Sequence, residues 1–457
     1  MIASPQAKTD RPNILMVLSD DHSVPHLGCY GDHVIKTPNL DSFASEALRF
    51  DRAYTSAPQC SPSRAAIFTG HSPQRVCMTR LATPLPPEHK IFPELLRGTG
   101  YFTGVCRRWH HMDGRAKPKP WLASTYERHD METMNNRLDY VVESGDRAQM
   151  VPQINEFLDR REERPFFLQV NFNDPHRSWD RDAIDEPHRP EGIPLSPLLP
   201  DLPEVREDVA RYYDEVSRLD GDFGRILELI DERGLAENTV VIFMGDNGHA
   251  LPRGKWTLYH QGTHVPMIVR WPGHTRAGRS TAERISGVDW AATCLDLAGV
   301  EIPKLMEGRS FRNLLEDRGH RGREYVFASL GWHQRMDMAR SATSKTHLLI
   351  YNCLPERGYQ PLSDFDHRAM WKAVEQAHAD GSLPERLSNA YFSDSRPVFE
   401  LYDLVNDPYQ FENLAGLPEH HDLEQQLKAA LDDWMESTYD FLPPPFAISS
   451  EWGAHPL

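Results

Sequence analysis

The stretch Asn13-Ile14-Leu15-Met16-Val17-Leu18-Ser19, followed at once by Asp20-Asp21, decides the fold class. Bounded by Pro12 and the two acids, this apolar run suits a strand buried on both faces of a mainly parallel sheet, because a half-exposed strand would alternate with polar residues. Runs of the same kind recur at 101–106, 165–170, 239–244 and 265–269. Helical spacing fills the intervals at 40–50, 91–96 and 151–160. It also fills a long stretch from about 205 to 234, where Tyr212, Val216, Leu219, Phe223, Ile226 and Ile230 recur. Alternating strands and helices predict an α/β fold with a large mainly parallel sheet flanked by helices. Past residue 324 the pattern shortens to β segments at 325–330, 346–351 and 398–404 and a helix at 422–438. The expectation is a catalytic α/β domain over 1–324 and a smaller C-terminal α+β domain over 325–457 that completes the pocket. The proline-rich stretch 180–203 reads as a long surface loop, a lid or pocket wall, and 442–457 as an irregular tail.

Composition narrows the function classes. The 457 residues carry 50 Lys and Arg against 67 Asp and Glu, a formal charge of −17, which disfavours a broad polyanion-binding surface and hence nucleic acid. A hydrophobic content of 39 % supplies a substantial core and excludes a disordered or collagen-like chain. The six cysteines (Cys29, Cys60, Cys77, Cys106, Cys294, Cys353) stand singly, without a CxxC pair, so neither a zinc site nor a disulfide framework is expected. No run approaches the roughly 18 apolar residues of a membrane span. No signal-like segment opens the sequence, which makes the cytoplasm the default expectation, or the periplasm or exterior where a signal has been removed.

In open parallel sheets, ligands bind beyond the carboxyl ends of the strands. There stand Asp20 and Asp21 after the first run, and Asp246 and Asn247 after the run 239–244. Three carboxylates and an amide are hard oxygen donors, suited to Ca²⁺ or Mg²⁺ rather than zinc. Taken singly, each pair also reads as an ordinary cap or tight turn. A second segment is Cys60-Ser61-Pro62-Ser63-Arg64-Ala65-Ala66-Ile67-Phe68-Thr69-Gly70. Pro62 suits the first turn of a helix and Gly70 its end, which places Cys60 at a helix amino terminus, where backbone N–H groups favour an anion. A bare thiol beside acids is poorly activated, and a single cysteine is more often a small core residue.

This segment resembles the type I sulfatase signature C-x-P-x-R, in which the cysteine is converted to Cα-formylglycine. PNILMVLSDD resembles the family's opening strand with its metal-binding acids, and VVIFMGDNG the block that supplies the remaining Asp and Asn. VPMIVRWPG and FELYDLVNDPYQFENLA resemble later family segments, so the likeness spans nearly the whole chain. It implies an alkaline phosphatase-like fold and hydrolysis of sulfate esters on carbohydrates. The short spacing between Asn247 and Lys255, together with RPFFLQVNFNDPHR, is most similar to the N-sulfoglucosamine sulfohydrolase branch.

The resemblance also implies roles. Asp20, Asp21, Asp246, Asn247 and residue 60 would bind one Ca²⁺, and Arg64 would steady the formylglycine hydrate. Arg108 stands where the family's G-K-W-H motif has lysine, a departure that keeps the charge but replaces a point charge by a planar fork. His110 would position or deprotonate the hydrate, and His176 would protonate the leaving group. Lys255 and Arg177 would bind substrate. His264 reads equally as a sugar contact or a surface residue, whereas His249, His260 and His333 read as surface residues. One hydroxyl of the hydrate attacks sulfur, and the second loses its proton to expel sulfate. A formylglycine-generating or sulfatase-maturing enzyme is an implied partner, and a homodimer the implied assembly. Two alternatives stand beside this reading: a phosphodiesterase or phosphonate monoester hydrolase of the same superfamily, which also use C-x-P-x-R, and a catalytically inactive sulfatase-like binding protein.

Overall fold

The computed structural model describes residues 11–81, 83–108, 111–112, 124, 127–129, 136–142, 147–180 and 183–445. In chain order the strands are β1 (Asn13–Ser19), β2 (Leu48–Phe50), β3 (Ala53–Tyr54), β4 (Phe102–Cys106), β5 (Tyr140–Val142), β6 (Phe166–Asn171) and β7 (Thr239–Gly245). They continue with β8 (Met267–Arg270), β9 (Arg279–Thr281), β10 (Ile285–Ser286), β11 (Val326–Leu330), β12 (Ala339–Thr343), β13 (His347–Asn352) and β14 (Phe399–Asp403).

Eight of them form one sheet in the order β5-β4-β6-β1-β7-β8-β2-β9. β1 lies at its centre, parallel to β6 on one side and β7 on the other. Its side chains explain the uninterrupted apolar run. Leu15 and Val17 enter one core cluster, with Val205, Tyr212, Val216, Leu219, Phe223, Ile226 and Ile230 of the long helix Pro203–Glu232. Ile14, Met16 and Leu18 enter a second, with residues of the helices Cys60–Thr69, Phe92–Arg97 and Asp289–Leu297. A strand buried on both faces leaves little room for polar residues, and in β1 they fall only at its ends, Asn13 and Ser19.

The α/β expectation holds, with local corrections. Residues 40–50 are not one helix: the helix Pro38–Ser45 ends early, and Leu48–Phe50 becomes β2, paired antiparallel with β8 and parallel with β9. Burial of Leu48 and Phe50 in that pairing overrides local helical spacing. The run 265–269 begins its strand only after Pro266, which has no N–H for a ladder, and β8 pairs antiparallel with β7. β12, Ala-Arg-Ser-Ala-Thr, has no apolar run and escapes a reading based on one.

β11 to β14 form a four-stranded antiparallel sheet in sequence order. Its two faces divide as alternation requires. Ala342, Leu349, Tyr351 and Leu401 pack with Leu427, Leu431 and Met435 of the helix His421–Ser437. Ala328, Leu330, Ala339, Leu348 and Ile350 join the cluster that covers one face of the large sheet. The C-terminal sheet therefore shares a core with the α/β part, which holds its loops against the ends of β1 and β7. No helix among the described residues is long and apolar enough to cross a membrane. The tail expected at 442–457 lies outside the described residues from 446 onward.

Leu15 is wholly buried between the sheet and the long helix. Leu15→Ala is expected to cost about 2–5 kcal/mol in chemical denaturation, as a lost core leucine with a residual cavity does; a change below about 1 kcal/mol would contradict the central placement of β1.

Candidate active site

β1 and β7 run in register, with Ser19 opposite Gly245, so the residues that follow them emerge side by side. Asp21 has a left-handed backbone, φ 67°, a conformation that aspartate tolerates better than most residues. Asp21 N donates to Asp246 Oδ1 at 3.1 Å, and Asn247 Nδ2 donates to Asp21 Oδ1 at 2.8 Å. Gly248 lets the chain turn here: a Cβ on it would sit 2.0 Å from the Gln261 carbonyl oxygen.

The helix Cys60–Thr69 delivers the other half. Gln59 is extended, Gly70 closes the helix in the left-handed conformation at φ 70°, and every residue between is buried. Ser63 Oγ ties the first turn to the Asp246 carbonyl at 2.5 Å. Cys60 Sγ thereby comes to 3.3 Å from Asp20 Oδ1 and 4.0 Å from Asp21 Oδ1. Burial and the Asp20 charge push its thiol pKa up, so an unmodified Cys60 is a poor nucleophile.

Cations interleave the acids. Arg64 Nε donates to Asp246 Oδ2 at 3.0 Å and its Nη2 to Asp20 Oδ2 at 3.0 Å, while Nη1 meets Asn171 Oδ1. Arg108 Nε lies 2.7 Å from Asp20 Oδ2, and its Nη1 meets Asn173 Oδ1. Lys255 Nζ lies 2.9 Å from Asp21 and 3.4 Å from Asp364 Oδ2. His176 Nε2 is 3.8 Å from Asp21 Oδ2, and its Nδ1 meets the Arg177 carbonyl. Arg107, Arg108 and Trp256 also have positive φ, so left-handed backbone bends surround the cluster, a pattern typical of functional sites.

Of the residues singled out in the sequence, the structure gathers Asp20, Asp21, Cys60, Arg64, Arg108, His176, Asp246, Asn247 and Lys255 at one place. His110 lies outside the described residues. Two residues are placed elsewhere. Arg177 is held by Asp208 through both terminal nitrogens and by the Ala250 carbonyl through Nε at 3.0 Å, with its guanidinium 3.4 Å from the Trp179 ring centroid. With these contacts made and the side chain buried, it clamps the loop rather than facing substrate. His264 stacks on Tyr54 with ring centroids 5.2 Å apart, and its Nε2 lies 2.9 Å from the Asp51 carbonyl oxygen; burial lowers its pKa to about 4. It packs β3 against the turn before β8.

Two residues at the site, His111 and Asp364, were not singled out in the sequence, and a third, His333, was read there as a surface residue although it is buried. His111 lies 3.8 Å from Asp20 Oδ2 and 3.3 Å from Ser61 Oγ; Arg107-Arg108-Trp109-His110-His111 offers two adjacent histidines that spacing alone does not separate. Asp364 and His333 come from the C-terminal part and belong to no motif.

The donor set fits a divalent cation. Asp20, Asp21 and Asp246 are fully buried within one cluster. Burial and the Asp20 charge hold Asp21 and Asp246 up at about 7 despite Lys255 and Arg64. Asp20 is held well below the usual carboxylate range: burial opposes this, and Arg108, His176 and Arg64 together outweigh it. Asn247 Oδ1 is buried with no hydrogen-bond partner among the described residues, and a carbonyl oxygen so placed is a ready ligand for a hard cation. Groupings with metal-site proximity among the described residues include Asp20, Asp21 and His176, and Asp20, Cys60 and His111.

Residues 12–300 match the family model for sulfatases. The chain belongs to the sulfatase family, and it is a sulfuric ester hydrolase by that membership. It is 27 % identical to an ulvan-active sulfatase of Formosa agariphila, over 97 % of this chain and 78 % of that one. It is 28 % identical to human N-sulphoglucosamine sulphohydrolase, over 94 % and 90 %, which agrees with the branch read from the sequence. Among solved structures, a protein bound to its substrate D-glucosamine-2-N,6-O-disulfate shares the fold with a TM-score of 0.69 at 20 % identity, over 95 % of this chain and 99 % of that one. A phosphonate monoester hydrolase of Silicibacter pomeroyi does so at 0.70 and 18 %, over 94 % and 96 %. The fold alone therefore does not separate sulfate from phosphonate chemistry.

Because protons and metal compete for Asp21 and Asp246, Ca²⁺ added to chelator-treated sulfatase should raise its melting temperature more at pH 8 than at pH 5. In the chelated protein these two raised carboxyl pKa values make stability fall as pH climbs from about 4 through about 7, since the unfolded chain has already lost the protons. An equal Ca²⁺ effect at both pH values would contradict this.

Proposed function

We propose that this sulfatase releases sulfate from a sulfated carbohydrate through a formylglycine hydrate at residue 60 and a bound Ca²⁺, with Mg²⁺ as the substitute ion. The observation that carries the reading is the convergence of the helix-terminal Cys60 with Asp20, Asp21, Asp246 and Asn247 on one side and Arg64, Arg108 and Lys255 on the other. The names of the relatives, ulvan-active sulfatase and N-sulphoglucosamine sulphohydrolase, support a sulfated saccharide.

Asp20, Asp21, Asp246 and Asn247 would hold the ion, which supplies Lewis-acid polarisation of the nucleophile and of a sulfate oxygen. A hydrated aldehyde at residue 60 would supply one hydroxyl to displace the leaving group at sulfur and a second whose lost proton would let the carbon–oxygen bond to sulfate break and the aldehyde re-form. Since a thiol so raised and buried is inert, a maturing enzyme that oxidises Cys60 is a required partner.

The remaining work belongs to side chains of this chain. Arg64 fixes the orientation of Asp20 and Asp246 and places a positive charge beside residue 60. Lys255 and Arg108 flank the acids and neutralise sulfate oxygens as charge builds on them, the electrostatic stabilisation that such transfers need. His176 has Nδ1 engaged by the Arg177 carbonyl, which leaves Nε2 as the atom that exchanges a proton with the leaving oxygen or nitrogen. Burial and Lys255 lower its pKa to about 4, so arrival of the anionic substrate favours its protonated form.

A panel of sulfated glucosamine, galactose and uronic acid saccharides, assayed for released sulfate beside a phosphate diester, tests the reading. Turnover of at least one saccharide in preference to the diester is expected; a strong preference for the diester would transfer the protein to the phosphodiesterase reading. His176→Ala is expected to lower kcat on the saccharide by about 100- to 10,000-fold, and by much less on an aryl sulfate whose phenolate leaves unassisted. Equal losses on both substrates would remove the proton donor role from His176.

A further inference from the structure

Two segments of the C-terminal part are stitched together over Lys255. Gln334 Nε2 donates to Asp364 Oδ1 at 3.3 Å, and Ser363 N donates to Gln334 Oε1 at 3.2 Å. Arg335 Nη2 meets Asp366 Oδ2 at 3.0 Å, and its Nη1 donates to the Pro361 carbonyl at 3.2 Å. His333 lies within this stitching, 8 % exposed, its ring tilted 5.9 Å from that of Trp256.

Neither nitrogen of the His333 ring has a hydrogen-bond partner at normal distance among the described residues. Gln334, beside it, has both ends of its amide committed. Burial and then Lys255 press the His333 pKa down to about 3, with Asp364 and a weak approach of the Gln334 side chain opposing and His176 adding to the fall. The ring is thus neutral, with one donor and one acceptor. A buried polar group with no protein partner calls for an explanation, and this one packs on Trp256, next to Lys255 in sequence, and lies within electrostatic reach of Lys255, Asp364 and His176. Sulfate offers acceptors only, and Arg64, Arg108 and Lys255 already supply the matching cations. A neutral imidazole suits a group that both donates and accepts, which is a hydroxyl. Asp364 complements it: burial opposes ionisation, but Lys255, His176 and His333 hold its pKa at about 2, so it is a carboxylate able to accept from the same or an adjacent group.

We infer that His333, with Asp364 beside it, binds a free hydroxyl of the leaving sugar, and that this pair selects saccharides over simple sulfate esters. The inference rests on the sulfatase reading above and adds the part of the substrate that the reading leaves unspecified. His333 acts in binding, whereas His176 acts on the proton.

The test compares the best sulfated saccharide of the panel with 4-nitrophenyl sulfate, which has no sugar hydroxyl. In His333→Ala the ratio of kcat/KM for saccharide over aryl sulfate should fall about 10- to 100-fold, with the loss in KM. His333→Asn, which keeps a donor and an acceptor, should recover part of it. Binding of the desulfated saccharide, measured by calorimetry, should weaken in His333→Ala and be partly restored in His333→Asn, independently of the chemistry at residue 60. Equal losses on both substrates, an unchanged ratio, or a loss confined to kcat would each overturn the inference. A wild type that binds the desulfated saccharide through His333 yet releases no sulfate from any ester would uphold the subsite and sink the sulfatase reading instead.

Discussion

Three carboxylates forced into one dry space are the constraint on which the rest of this structure depends. Asp20, Asp21 and Asp246 arrive together because β1 and β7 are parallel neighbours in register, and no rearrangement short of breaking the central sheet separates them. Buried like charges repel strongly, and the protein answers with Arg64 from the helix Cys60–Thr69, Arg108 from the loop after β4 and Lys255 from the loop after β7. Arg64 bonds to both Asp20 and Asp246, Arg108 to Asp20 and Lys255 to Asp21, all within 3.0 Å. That balance leaves Asp21 and Asp246 with pKa values near 7, a site with capacity for a further positive charge.

The surrounding architecture serves that cluster. Helix Cys60–Thr69 is buried throughout its length, so residue 60 is fixed between the sheet end and the acids instead of riding on a surface loop. The C-terminal sheet shares its core with one face of the large sheet, which brings Asp364 to Lys255 and His333 to the rim. The acid cluster is thus held by the α/β part, and the later segment reaches it through Asp364, 3.4 Å from Lys255.

The parts legible in the sequence were those whose physics is local. β1 and β7 are buried on both faces and so announce themselves as continuous apolar runs, β6 differs from them only by the buried Gln169 and Asn171, and the acids after β1 and β7 follow from the strand ends. The signature around Cys60 is a contiguous helix start. What stayed hidden depends on partners far along the chain. Leu48–Phe50 is a strand because β8 and β9 flank it, not because of its own three residues. Arg177 follows a histidine that does reach the cluster, but Asp208 on the long helix takes its guanidinium. Asp364 and His333 carry no motif, and only the packing of the C-terminal sheet brings them to Lys255.

The most direct measurement couples chemistry at residue 60 to turnover. Conversion of the Cys60 thiol to an aldehyde lowers the mass of its peptide by about 18 Da, so preparations made with different levels of a maturing enzyme can be ranked by mass spectrometry and assayed for sulfate released from the preferred saccharide. Initial rate should rise in proportion to the aldehyde fraction and extrapolate to zero at none, with Cys60→Ala on the same intercept. Undiminished sulfate release from protein whose residue 60 is entirely thiol would contradict the mechanism.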